Sequence, residues 1–188
     1  AGVVGAMIAR ELTKYDLKVC ILERENDVAC GATKANSAIV HAGFDAKEGS
    51  LKARLNVRGS KMMAETAKQL GVRYKNNGSI VIALNDDDMI EVENLYNRGV
   101  KNGVDGLKII DAKELKLLEP NITDNAVGAL YAPTGAIICP YGLCIAAVGN
   151  AMDNGAELKL NFEVSSISHT DGAYRLASDK DSICAKYV

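Results

Sequence analysis

The chain has 188 residues, of which 48% are hydrophobic and 24% charged, and its formal net charge is -2. That composition supplies a globular core for one large domain or two small interleaved ones. The scattered basic residues argue against a nucleic-acid or membrane-surface binder, and no apolar run approaches the roughly 18 residues of a membrane helix.

Gly2 to Gly5 opens a helix predicted to run to about Tyr15, with Val4, Ile8 and Leu12 on one apolar face. Lys18 to Glu23 is a short apolar strand ending in an acid, the pattern of a buried parallel strand. A polar, glycine-bearing loop covers Arg24 to about Lys34, and Asn36 to Gly43 is a small-residue segment passing into a loop. Leu51 to Leu70 is a long helix ending at Gly71, and Gly78 to Leu84 is a strand. Asp86, Asp87 and Asp88 supply capping carboxylates for a helix from about Met89 to Lys101. Leu107 to Ile110 is a strand, and Asp111 caps a helix over Ala112 to Leu118 that Pro120 stops. Ala126 to Ala132 is a strand, followed by a turn at Pro133-Thr134-Gly135. Pro140 to Asp153 is a helix closed by Asn154-Gly155, and Glu157 to Ile167, Gly172 to Leu176 and Ile183 to Val188 are the last strands.

There are no repeats, no low-complexity tracts and no linker. The element order fits a binding domain interrupted by an inserted second domain. The chain opens inside a glycine-rich turn without Met and stops on an apolar run, so it is read as a fragment of a longer protein. The cysteines, at 20, 30, 139, 144 and 184, contain no C-x-x-C. They read as reduced thiols of a cytoplasmic protein rather than a disulfide framework, and no metal site is expected.

A dinucleotide's pyrophosphate is bound where a strand turns tightly into a helix, because glycines admit the phosphates and the helix N-terminus presents free N–H groups. Here Gly2 and Gly5 match the second and third glycines of G-x-G-x-x-G. The following strand ends in Glu23, about 20 residues on, where an acid accepts hydrogen bonds from ribose hydroxyls. An acid there disfavours NADP, while FAD and NAD both remain open on physical grounds.

Three runs carry a resemblance: Gly2 to Leu12, Val19 to Glu25, and Gly31-Ala32-Thr33-Lys34-Ala35-Asn36-Ser37-Ala38-Ile39-Val40-His41-Ala42-Gly43-Phe44. They resemble the FAD-dependent D-amino-acid oxidase-like superfamily, and within it the glycerol-3-phosphate dehydrogenase and L-2-hydroxyglutarate dehydrogenase group. Asn77 to Val81, Ala129 to Ile137 and Glu163 to Ile167 resemble later segments of the same proteins. The resemblance implies an α/β fold, a Rossmann-like FAD/NAD(P)-binding domain interrupted by an α+β substrate domain. It implies FAD-binding segments at 1–75 and 139–188 and an inserted substrate segment at 76–138. It implies pyrophosphate contacts at Gly2 and Gly5, ribose contacts at Glu23 with Arg24 beside it, and pyrophosphate or ribityl contacts at Thr33, Asn36 and Ser37. His41 and Ala42 would approach the isoalloxazine ring, and Val164 the adenine.

The implied reaction is oxidation of a CH–OH group in a small anionic substrate by hydride transfer to FAD. Glycerol 3-phosphate comes first and L-2-hydroxyglutarate second; an amine oxidase of the same superfamily and a non-catalytic fragment are the alternatives. The resemblance also implies a quinone or protein electron acceptor, and a cytoplasmic protein at most peripheral to the inner membrane face. A neutral histidine suits removal of a hydroxyl proton, so His41 is either the catalytic base or a residue that packs at the ring. His169 reads as a surface residue. Lys34, Lys52, Arg54 and Arg58 flank the His41 loop and read as solvated charges.

Overall fold

The computed structural model describes residues 1–188. In chain order the elements are α1 (Val3–Leu12), β1 (Cys20–Leu22), β2 (Ile39–Val40), α2 (Leu51–Gln69), β3 (Tyr74–Lys75), β4 (Ser79–Ala83) and α3 (Asp86–Asn102). They continue with β5 (Lys108–Asp111), α4 (Ala112–Leu118), β6 (Gly128–Ala132), β7 (Ala136–Ile138), α5 (Pro140–Asp153), β8 (Glu157–Lys159), β9 (Ser166–Thr170), β10 (Ala173–Ala177) and β11 (Ser182–Ala185). The chain packs into two units, one made of Ala1–Ser37 with Cys139–Val188 and the other of Ala38–Ile138. No helix is long and apolar enough to cross a membrane.

In the first unit β1 and β8 pair in parallel, Ile21 opposite Leu158. α1 packs on α5 and β1. It buries Ala6 and Ala9, whereas Val4, Ile8 and Leu12 are 72%, 54% and 38% exposed. The apolar stripe that defined the predicted helix is therefore not the face that packs. α5 presents Leu143, Cys144, Ala147, Val148 and Ala151 as its own buried set, and only small alanines let two helices approach closely. β9, β10 and β11 form an antiparallel meander. The single strand expected over Glu157 to Ile167 is two strands, because Asn161 adopts φ 55° between them; asparagine tolerates that left-handed conformation better than most residues.

In the second unit β2, β7 and β3 form one antiparallel sheet and β4, β6 and β5 another. α3 lies against the second sheet. Ala83, Val92, Leu95, Leu107 and Leu130 form its core, with Phe44 and Val57 packed on the edge. Val57 explains why the division falls at 37/38 and not at 75/76: α2 joins the core of the second unit. α3 begins three residues earlier than the sequence suggests. Asn85 is its cap, accepting from the Asp88 N–H at 2.9 Å, and the three aspartates occupy the first turn.

Candidate functional site

The first unit gathers most of the residues expected at a nucleotide. Gly2 is the N-cap of α1, extended at φ -81° and ψ 173°, and no side chain of its own caps the helix. Val3 N–H donates instead to Thr33 Oγ1 at 3.0 Å. A Cβ on Gly2 would stand 3.1 Å from the same oxygen, while a Cβ on Gly5 would meet nothing within 4 Å. Thr33 is the one polar residue that is buried. The helix thus opens with its first N–H taken by the Thr33 hydroxyl and with space above Gly5. Those features fit an anion held by N–H groups at a helix N-terminus.

Glu23 follows β1 and its N–H continues the parallel ladder to the Lys159 carbonyl at 2.9 Å. Its carboxylate accepts from the Glu25 N–H at 3.0 Å. Burial raises the carboxyl's pKa, and the N–H groups of Glu25 and Arg24 act to lower it. An ionised acid at the end of this strand is the species that accepts from sugar hydroxyls.

Arg24 and Val164 are brought together. Phe162 N–H donates to the Glu23 carbonyl at 2.8 Å, and Asn161 N–H to the Glu25 carbonyl at 2.9 Å. The connection between β8 and β9 is therefore laced to the chain just after β1. A pocket of about 310 Å³ results, lined by Arg24, Asn161, Glu163 and Val164 and by Ser178 and Lys180 from the β10–β11 turn. Val164 lies in that connection rather than in a strand. Arg24 holds Glu25 at 3.0 Å, an exposed pair. Nothing in the sequence pointed to Ser178 or Lys180, since only the hairpin register carries them there.

The remaining expected residues divide. The Asn36 amide donates to the carbonyls of Thr33 at 2.8 Å and Ala32 at 3.2 Å, so it closes its own turn. Ser37 is exposed. In the second unit, Ala42 is buried and His41 is exposed after β2. His41 lines a pocket of about 140 Å³ with Gly43, Phe44, Asp45, Ala46, Lys52 and Asn56. His169 sits on β9 against the Tyr174 ring, centroids 4.6 Å apart, a cross-strand surface contact. The five cysteines are free thiols, and no group of three or more His, Cys, Asp or Glu is gathered for a metal.

The sequence profile of the FAD dependent oxidoreductase family matches residues 1–188. The chain belongs to this family. It is 48% identical over its whole length to a protein named glycerol 3-phosphate dehydrogenase from Caloramator mitchellensis, of which it covers 39%. It is 34% identical over 177 residues, 89% of the chain, to the mitochondrial L-2-hydroxyglutarate dehydrogenase of Dictyostelium discoideum, again covering 39%. Among solved structures, a dithionite-reduced L-α-glycerophosphate oxidase from Mycoplasma pneumoniae with FAD bound superposes with a TM-score of 0.90 at 27% identity, over 96% of this chain and 48% of that one. A glycine oxidase from Geobacillus kaustophilus has the same fold, at a TM-score of 0.90 and 23% identity. The fold is accordingly the α/β, Rossmann-like fold of these flavoproteins, and the cofactor of the family is FAD. The chain spans about two-fifths of the length of the curated relatives it matches.

Proposed function

We propose that the protein is an FAD-dependent dehydrogenase that oxidises the secondary alcohol of glycerol 3-phosphate. The observation that carries this reading is the 48% identity, over all 188 residues, with a relative of that name. L-2-Hydroxyglutarate is the second reading, supported by relatives at 34% and 33% identity.

In this reading the unit made of Ala1–Ser37 with Cys139–Val188 binds the nucleotide part of the cofactor. Gly2, Gly5 and Thr33 receive the pyrophosphate, with Asn36 and Ser37 along the chain toward the ring. Glu23 accepts from the adenosine ribose, and Arg24 and Val164 take the adenine end. His41 and Ala42 serve the ring end. Bound FAD supplies the two-electron acceptor for the hydride that leaves the alcohol carbon. His41 takes the hydroxyl proton on an imidazole nitrogen, so that the C–OH carbon becomes a carbonyl. The electrons pass on to a quinone or protein acceptor. Five free thiols suit a reducing compartment, which supports a cytoplasmic location.

The test is anaerobic mixing of the purified flavoprotein with single substrates. Glycerol 3-phosphate should bleach the flavin band, and L-2-hydroxyglutarate and glycine should not. Bleaching by an amino acid, with none by either hydroxy compound, would overturn the proposal.

A further inference from the structure

The His41 loop is held from two helices. Asn56, on α2, donates from Nδ2 to the His41 carbonyl at 2.6 Å. Asn102, on α3, donates to the carbonyls of Gly43 at 3.0 Å and Ala46 at 2.8 Å, and Arg98 donates to that of Asp45 at 3.1 Å. Side chains thus fix the loop carbonyl by carbonyl.

Lys52 stands one turn before Asn56 on the same face of α2. It lines the 140 Å³ pocket with His41 and Asn56. Within this unit Lys61 pairs with Asp105 at 2.8 Å, Lys101 with Glu48 at 3.1 Å and Lys116 with Asp124 at 2.7 Å, while Lys47, Lys52, Lys68, Lys75, Lys108 and Lys113 form no ion pair, and of these only Lys52 lines the pocket with His41. Lys52 has no carboxylate partner, and Asp45, the acid that lines the same pocket, forms no ion pair with it. An exposed, unpaired ammonium that lines the same small pocket as His41, whose backbone carbonyl is held by Asn56, suits an anion. A cavity of about 150 Å³ accommodates a benzene-sized molecule, so this one suits a charged head group and its adjoining carbons rather than a long chain.

We propose that Lys52 holds the anionic group of the substrate, a phosphate monoester or a carboxylate, and that Asn56 is the positioning residue that ties His41 to the same helix face. The assignment rests on the oxidation proposed above. Lysine binds such groups as a point charge.

The test compares wild-type holoenzyme with Lys52→Met, Lys52→Arg and Asn56→Ala, reading flavin content, kcat and KM. A lost charged hydrogen bond should raise KM for glycerol 3-phosphate about 30-fold in Lys52→Met. Flavin content should be unchanged, and Lys52→Arg should recover most of the loss. Uncharged glycerol should react alike in both proteins. Asn56→Ala should lower kcat more than it raises KM. An unchanged KM in Lys52→Met, or an equal rise for glycerol, overturns the Lys52 assignment. If Lys52→Met fails to retain flavin, equal KM values in Lys52→Arg and Lys52→Gln overturn it instead. If wild type is bleached by another hydroxy acid and not by glycerol 3-phosphate, the substrate reading fails, and the same KM comparison on that acid still decides Lys52.

Discussion

Two helical glycines of the second unit should respond in opposite directions to the same substitution. Gly59 lies in α2, and a Cβ there meets nothing within 4 Å. Gly99 lies in α3, where a Cβ would stand 2.3 Å from Leu107 Cδ1, 2.8 Å from Phe44 Cβ and 3.3 Å from Phe44 Cα. Leu107 can turn its terminal methyl aside; the Phe44 backbone cannot move without shifting the His41 loop. In a helix interior Gly→Ala gains about 0.8–1.0 kcal/mol from propensity. Gly59→Ala should keep all of it. At position 99 the same gain is set against overpacking, about 1–3 kcal/mol. The propensity gain cancels between the two variants, so Gly59→Ala should exceed Gly99→Ala in stability by about 1–3 kcal/mol. Urea denaturation of both, with midpoints and slopes fitted together, measures that difference. If Gly99→Ala stabilises the protein as much as Gly59→Ala does, the close approach of α3 to the loop is refuted.

Leu115 is fully buried beside Ile110 and Ala129, so Leu115→Ala should cost about 2–5 kcal/mol in the same unfolding experiment. Asp111→Ala removes a capping box, the Asp111 carboxylate accepting from the Glu114 N–H at 2.8 Å, and should cost about 1 kcal/mol. Burial raises the Cys144 thiol above its ordinary pKa, while Cys139 and Cys184 are exposed. Iodoacetamide at mildly alkaline pH, read by peptide mass spectrometry, should therefore label Cys139 and Cys184 well before Cys144. Denaturant should abolish that difference.

What was legible in the sequence was local. α4 and α5 begin and end where their caps predict, because Asp111, Glu114, Pro140 and Asn154-Gly155 act within a turn of the boundary. Gly2, Gly5 and Glu23 stand out in the sequence because they sit at the spacing that a phosphate turn and a ribose-binding acid require, whereas Thr33 enters only through the family resemblance. The strands β2, β3 and β7 were not readable. Each has two or three residues, and they exist only through pairings such as Ile39 with Ile137 and Tyr74 with Ile138. The packing face of α1 was misjudged for a related reason: periodicity marks apolar residues but not which face meets a close neighbour. Lys52 is exposed, as a solvated charge should be, and only the pocket sets it with His41. Its neighbours in the pocket, His41 and Phe44, lie in a different stretch of chain, and so do the side chains that clamp the loop.

On the proposed function, the protein removes hydrogen from the alcohol carbon of glycerol 3-phosphate. Single-turnover loss of flavin absorbance under anaerobic, saturating conditions tests it, comparing ordinary substrate with substrate deuterated at the C2 carbon. Complete bleaching by both is expected, slower with the deuterated compound by a primary isotope effect. No bleaching by either would contradict the account, as would equal rates for the two.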